Sequence, residues 1–413
     1  MHILFVHQNF PAQFGHIAAQ LVKRDGWRAT FVSQTAPTQG TTHTAGIERI
    51  TYQLAGGATD KNHYCSRTFE NAIWHTSAVY EALARRPDIR PDLIVGHSGF
   101  GSTLFLRELY PDTPIINYFE YFYATRNSDM DFRRDFPSLP IDSLRARARN
   151  ATLLLDLDNC TAGYSPTRWQ RDRLPKLYHD KVSVFFDGID TTIWRKIENV
   201  QRVIQHRQIH ETTKVVTYAT RGMESMRGFD IFMKAANLLT KMRSDVIFVI
   251  AGQDRVCYGG DNRFTGGKSF KEWVLSQDDY DLSRFWFTGL LHPTELATLF
   301  NISDLHVYLT VPFVLSWSLV NAMACGATIL ASDTAPVLEM ISPGETGLTN
   351  DFFDVEGMAE KMNAVLNKPD EYRHLGHNAS RLVQENYSLD YCLPQLRDFY
   401  AEVATRQASQ ISE

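Results

Sequence analysis

The stretch Leu309-Thr310-Val311-Pro312-Phe313-Val314-Leu315-Ser316-Trp317-Ser318-Leu319-Val320-Asn321-Ala322-Met323-Ala324-Cys325-Gly326 decides how this chain is to be read. An apolar run closes, a loop follows, and a short apolar helix opens near 316–318. Outward from it, short apolar runs alternate with longer amphipathic segments, the pattern of repeated strand–helix units. Strands are predicted at 3–7, 29–33, 93–97, 115–119 and 160–164, then at 215–219, 246–251, 285–288, 304–309 and 327–332. Helices are predicted at 14–24, 69–86, 229–239, 293–301, 318–324 and 355–365, with an amphipathic helix at 389–404. The strands are continuously apolar rather than alternating, which marks parallel sheets covered on both faces. The polar stretch 190–213 separates the two series and reads as a linker.

A chain of 413 residues is long for one core, since single cores stop growing near ~250–300 residues. Two α/β domains are therefore expected, residues 1–190 and 191–388, with 389–413 as a terminal helix. With a net charge of −5 and a pI near 6.3, nothing drives the chain as a whole toward nucleic acid. Five scattered cysteines without a C-x-x-C pair argue against a disulfide framework or a structural zinc site. The apolar start is too short for a signal peptide, and no apolar run approaches the ~20 residues that span a bilayer. A cytoplasmic protein is expected. The basic and aromatic stretch 126–149 leaves two readings, an acceptor or membrane-surface element, with peripheral contact at the inner face of the membrane, or a flexible loop followed by a solvated helix.

Doubly wound sheets bind ligands outside the carboxyl ends of their strands, so the loops there carry the chemistry. The helix opening near Ser316, Trp317 and Ser318 presents free N–H groups and a positive dipole end suited to phosphate. Thr220-Arg221-Gly222-Met223-Glu224-Ser225-Met226-Arg227-Gly228-Phe229 brings two arginines to a strand-end loop, and arginine grips phosphate oxygens with two donors. Gly15, after the first strand, suits either the approach of a ligand or close packing. Asp156-Leu157-Asp158 has the spelling of a metal-binding pair but lies outside the proposed donor loops and reads as surface.

Together these residues resemble the family 4 glycosyltransferases of the GT-B superfamily. Arg221 and Arg227 stand where that family carries a basic pair for the donor diphosphate. Phe313 to Asn321, running into Ala322-Met323-Ala324-Cys325-Gly326, stands where it carries Glu-x7-Glu before an "EAMACG" run. Asp187-Gly188-Ile189-Asp190 matches its domain junction. The resemblance implies two Rossmann-like domains facing across a cleft, with the terminal helix crossing back to the amino-terminal domain. The implied reaction is transfer of a sugar, with retention, from a nucleoside-diphosphate sugar to a hydroxyl. Donor contacts then fall to Gly15, Arg221, Arg227, Phe313, Ser316, Trp317, Ser318 and Asn321. Both acidic positions are replaced. Asn321 keeps one acceptor oxygen for the ribose but loses the charge, and Phe313 cannot hydrogen-bond a sugar.

On the acceptor side, the family implies a catalytic group near the fourth strand, where Glu120 stands; His97 ends the preceding strand. Arginine supplies the positive charge, so no metal and no cofactor are expected. A UDP-sugar is favoured over a GDP-sugar, and the acceptor is a glycan, a lipid-linked or a small hydroxyl compound. A non-catalytic nucleotide-sugar binder, a sugar-nucleotide epimerase and, less so, a phosphorylase remain as alternatives.

Overall fold

The computed structural model describes residues 1–34 and 46–411, and the chain divides into two units. Unit 1 comprises Met1–Thr125, Leu139–Asp187 and Cys392–Glu413; unit 2 comprises Arg126–Ser138 and Gly188–Tyr391. The first division falls at Asp187, three residues before the expected 190, and the second at Cys392 rather than 389. The last two residues of the expected terminal helix lie outside the described residues.

Unit 1 is built on seven parallel strands: β1 (His2–Val6), β2 (Arg28–Gln34), β3 (Ile47–Tyr52), β4 (Leu93–Ser98), β5 (Ile115–Phe119), β6 (Ala162–Ser165) and β7 (Val182–Val184). Their order is β3-β2-β1-β4-β5-β6-β7. Every residue of β1, β4 and β5 is buried, as a two-faced parallel sheet requires. β3 escaped the sequence reading because it is an edge strand that buries only alternate residues in its second half. The order turns back between β1 and β4, whose registers pair Ile3 with Leu93 and Val6 with Gly96. The carboxyl ends of these two strands therefore flank the switch point of the sheet.

Unit 2 begins with a short antiparallel hairpin, β8 (Val203–Ile204) and β9 (Arg207–Gln208). Six parallel strands follow: β10 (Lys214–Gly222), β11 (Val246–Gln253), β12 (Phe285–Gly289), β13 (Leu305–Tyr308), β14 (Ile329–Ser332) and β15 (Leu348–Asn350), in the order β12-β11-β10-β13-β14-β15. Its switch point lies between β10 and β13. The expected linker is part of this unit. The Asn301 side chain accepts the Ile197 N–H and donates to the Arg195 carbonyl, which ties the stretch to the helix Pro293–Ile302.

The terminal helix Leu389–Ile411 returns to unit 1 from Cys392 onward. It buries Leu393, Leu396, Tyr400 and Val403, a helical spacing of three, four and three. The Tyr400 hydroxyl meets that of Tyr164 at 3.0 Å, both rings fully buried, and Phe399 packs on Phe185 with centroids 4.9 Å apart. Removing the Tyr400 hydroxyl leaves that of Tyr164 buried without its partner, a loss worth about 1–3 kcal/mol. Tyr400→Phe is expected to lower the denaturant stability of unit 1 by that amount, and Tyr164→Phe added to it to recover most of the loss. An unchanged single variant would show that the pair does not hold the helix.

Candidate functional site

In unit 2 the sheet delivers two loops to one place. Arg221 lies next to the last residue of β10 and is exposed; Arg227 follows in the 3₁₀ turn Ser225–Arg227 and is only 4% exposed. The Arg227 Nη1 donates to Thr310 Oγ1 at 2.7 Å and to the Val314 carbonyl at 3.1 Å. Its Nε and Nη2 have no hydrogen-bond partner among the described residues. One edge of the guanidinium is thus committed to the loop after β13, and the other edge is uncommitted. The turn needs glycine at both ends. A Cβ on Gly222 would meet the Arg255 carbonyl at 2.4 Å, and Gly228 sits at φ 63°.

The loop after β13 carries Phe313, 7% exposed, and then Ser316, whose Oγ caps the helix Trp317–Ala324 by accepting the Ser318 N–H. The Ser318 hydroxyl donates to the carbonyl of Ala219 in β10, so this helix begins beside the switch point. The Ser316 N–H donates to the Tyr308 hydroxyl at 2.8 Å, so two of the three amides 316–318 already have acceptors here. Asn321 is 9% exposed, and its Oδ1 is buried without a partner. Phe313 rests against the ring of Tyr258 at 5.4 Å. The Arg227 guanidinium lies 5.2 Å from the Tyr258 ring and 5.9 Å from that of Phe313.

Two residues of this site went unread in the sequence. Glu224 is fully buried, and its Oε2 accepts the N–H groups of Cys257, Tyr258 and Gly259 at 3.0, 2.8 and 3.1 Å. Burial pushes its carboxyl upward and those three amides pull it back. Glu224 thereby fixes the loop 254–260, which brings Tyr258 to Arg227. The carboxylate stands in plain view between the two arginines, but its partners lie more than 30 residues away. Tyr258 carries no sequence signal at all.

In unit 1 the switch point gathers His7, just beyond β1, with His97 in β4 and Glu120 just beyond β5. His97 is 1% exposed, and its Nδ1 donates to the Ser98 carbonyl at 3.1 Å. Its Nε2 then carries a lone pair, has no hydrogen-bond partner among the described residues, and stands 3.7 Å from Glu120 Oε2. Burial, reinforced by His7, holds the ring well below the usual histidine range and hence neutral. A hydroxyl placed here has one hydrogen and donates it to one of these acceptors at a time. His7 packs edge-on against His97 with centroids 5.1 Å apart, and burial lowers it to about 4. It occupies the same strand-end position as His97, the signal by which the sequence could have shown it.

Gly15 opens the helix Gly15–Asp25 and is buried, and a Cβ there would meet Pro11 Cβ at 2.2 Å. Its missing side chain makes room for Pro11, the close-packing role. The sequence reading of Asp156 as surface is corrected. Asp156 is fully buried and accepts the hydroxyls of Ser98 and Ser102 at 2.8 and 2.9 Å, clamping the turn that follows His97. It faces inward because the helix Pro140–Asn159 buries that side, along with Leu153 and Leu157. The flexible-loop reading of the start of 126–149 is corrected as well at Arg133, which is 4% exposed in unit 2. A cavity of about 350 Å³ between Arg207, Arg284 and Trp286 lies at the amino ends of the unit 2 strands, the opposite edge from these loops.

Asp187, 1% exposed, accepts the Tyr118 hydroxyl at 3.3 Å on Oδ2, while its Oδ1 has no partner. Burial raises its carboxyl from 3.8 to about 8. Between those values the folded protein keeps a proton that the unfolded chain has released, so stability falls as pH rises through that window and levels off above it. Asp187→Asn is expected to remove a slope of about 1.4 kcal/mol per pH unit from denaturant stabilities measured between pH 5 and 8. An unchanged slope would place the titrating group elsewhere.

Residues 25–194 match the glycosyl transferase family 4 group, and residues 200–382 match glycosyl transferases group 1. Alpha-maltose-1-phosphate synthase of Mycolicibacterium smegmatis is 24% identical over 238 residues, 56% of this chain and 59% of that protein. N-acetyl-alpha-D-glucosaminyl L-malate synthase of Bacillus anthracis is 27% identical over 222 residues, 54% of each. The chain thus spans about half the length of the curated relatives it matches. Among solved structures, sucrose-phosphate synthase of Thermosynechococcus elongatus superposes with a TM-score of 0.74 at 16% identity, covering 98% of this chain and 99% of that one. HepE of Anabaena, in complex with UDP and glucose, gives 0.67 at 14% identity, covering 97% and 100%. With both halves matched and both sheets wound about their switch points, the chain belongs to the family 4-like glycosyltransferases of the GT-B fold.

Proposed function

We propose that the protein transfers a sugar, with retention and without a metal ion, from a nucleoside-diphosphate sugar to a hydroxyl acceptor. The observation that carries this reading is the half-committed guanidinium of Arg227, bonded to the loop that leads from β13 into the helix Trp317–Ala324 at the switch point of unit 2. As the anomeric C–O bond breaks, negative charge grows on the β-phosphate. Donors already fixed around it stabilise that state more than the bound ground state. Arg221 and Arg227 supply the charge, the positive end of the helix Trp317–Ala324 supplies a dipole, and the Asn321 oxygen accepts a ribose hydroxyl. UDP is proposed over GDP, in line with the UDP complex of HepE, which shares the fold.

The acceptor hydroxyl donates its one hydrogen to Glu120 Oε2 as it docks beside the neutral His97 ring, and turns that hydrogen to the departing β-phosphate as the new C–O bond forms. Its proton passes to the departing β-phosphate oxygen, so the pair orients the nucleophile and remains chemically unchanged. A second reading, a nucleotide-sugar binder without turnover or a sugar-nucleotide epimerase, is favoured by one observation. Phe313 and Tyr258 form an aromatic pair at the position where the resemblance implies a carboxylate.

A panel of UDP- and GDP-sugars, screened first for thermal stabilisation and then for turnover with and without added hydroxyl compounds, tests the reading. The expected result is acceptor-dependent release of nucleoside diphosphate, insensitive to EDTA, with a product that retains the donor's anomeric configuration by NMR. Stabilisation with no turnover would favour the binder, and acceptor-free conversion of the sugar would favour the epimerase. Arg227→Gln is expected to slow turnover by about 10²–10³-fold, the scale of losing one fixed oxyanion donor. Glu120→Gln is expected to lower kcat/KM for the acceptor by about 10²-fold, the scale of misplacing a reactant, while donor affinity holds. Equal loss on both substrates would remove the acceptor role from Glu120.

A further inference from the structure

Arg133 lies in Arg126–Ser138, which counts with unit 2 although the chain on either side of it, to Thr125 and from Leu139, counts with unit 1. The short helix Asp129–Phe132 leads into it, closed by a capping box between Ser128 and Asp131. All five guanidinium hydrogens of Arg133 have acceptors. Nη1 donates to the Ser225 carbonyl at 3.0 Å and to Asp230 Oδ1 at 3.1 Å; Nη2 donates to Asp230 Oδ2 at 2.6 Å and to Asp135 Oδ2; Nε donates to Asp135 Oδ1 at 2.9 Å. The rings of Phe136, Phe352 and Phe353 surround the guanidinium carbon at 4.8, 5.3 and 5.8 Å. Phe132 stacks on Phe353 at 5.2 Å.

The acceptors of Arg133 are what matter. Ser225 opens the 3₁₀ turn that ends at Arg227, and its carbonyl also receives the Gly228 N–H at 2.9 Å. The Ser225 N–H and hydroxyl are held by the buried Asp261, and Asp230 lies in the first turn of the helix Phe229–Met242. Arg133 therefore grips both sides of the turn that presents Arg227. A buried aspartate without its cation is strongly unfavourable, so Asp230 and the turn depend on Arg133 being in place.

We propose that Arg133 is a positioning residue for the donor diphosphate, acting through Arg227 without touching the donor. A segment whose neighbours in sequence belong to the acceptor-side unit is thereby built into the phosphate-gripping turn. This rests on the reading of unit 2 as the donor unit, and the experiment separates the two.

Affinity for UDP and for GDP is measured by calorimetry on the full chain for wild type, Arg133→Gln, Arg133→Lys, Arg227→Gln and the Arg133→Gln/Arg227→Gln double variant. Arg133→Gln is expected to weaken the tighter-binding nucleotide about tenfold, within the range of coupled neighbours. Arg133→Lys, which keeps the charge but not the planar fork, recovers part of the loss. In the Arg227→Gln background the same change adds less than about twofold, because its effect runs through Arg227. An undiminished penalty in that background, or no penalty in the single variant, overturns the proposal. Unchanged affinity in Arg227→Gln overturns the donor reading and this inference with it. Where Arg133→Gln does not fold, Arg133→Gln/Asp230→Asn removes both buried charges and carries the same comparison.

Discussion

A parallel sheet covered on both faces leaves polar chemistry one place to go, the ends of its strands. Every residue of β1, β4, β5 and β13 is buried, and so are most of β10 and β11. Ionisable groups therefore collect where the strand order turns back. His7 and His97 stand beyond β1 and within β4; Arg221 and Arg227 stand at and beyond β10, beside the loop that follows β13. The same winding rule has built both clusters, one in each unit.

Once there, these groups are held rather than loose. Asp156 ties down the turn after His97 through two serine hydroxyls. Glu224, Asp261 and Arg133 together fix the turn before Arg227. A charge fixed before the reaction need not be reorganised during it, and this is where most electrostatic stabilisation of a leaving group arises. Among the buried polar atoms without partners in the described residues are His7 Nε2, His97 Nε2, Glu224 Oε1 and Asn321 Oδ1, which belong to these two clusters. Buried polar atoms are costly when unmet.

Much of this was legible in the sequence, and the limits have physical causes. The buried strands announced themselves as apolar runs, and the two arginines and the helix opening at Ser316 were visible because strand-end loops read locally. β3 was missed because an edge strand alternates, and 190–213 looked like a linker because its anchor, Asn301, lies about a hundred residues away. Asp156 was misread as surface because a single carboxylate does not show which face of its helix turns inward. Arg133 was lost for the same kind of reason: its acceptors Ser225 and Asp230 are 92 and 97 residues away. Residue identity gives the chemistry of a group, and the fold alone gives its partner.

The most direct measurement is a crystal structure of the protein with a bound nucleoside diphosphate. The account predicts β-phosphate oxygens within hydrogen-bond reach of the free edge of Arg227 and of the start of the helix Trp317–Ala324, with a ribose hydroxyl on Asn321. A diphosphate seated elsewhere, with Arg227 bonded only to Thr310 and Val314, would contradict it.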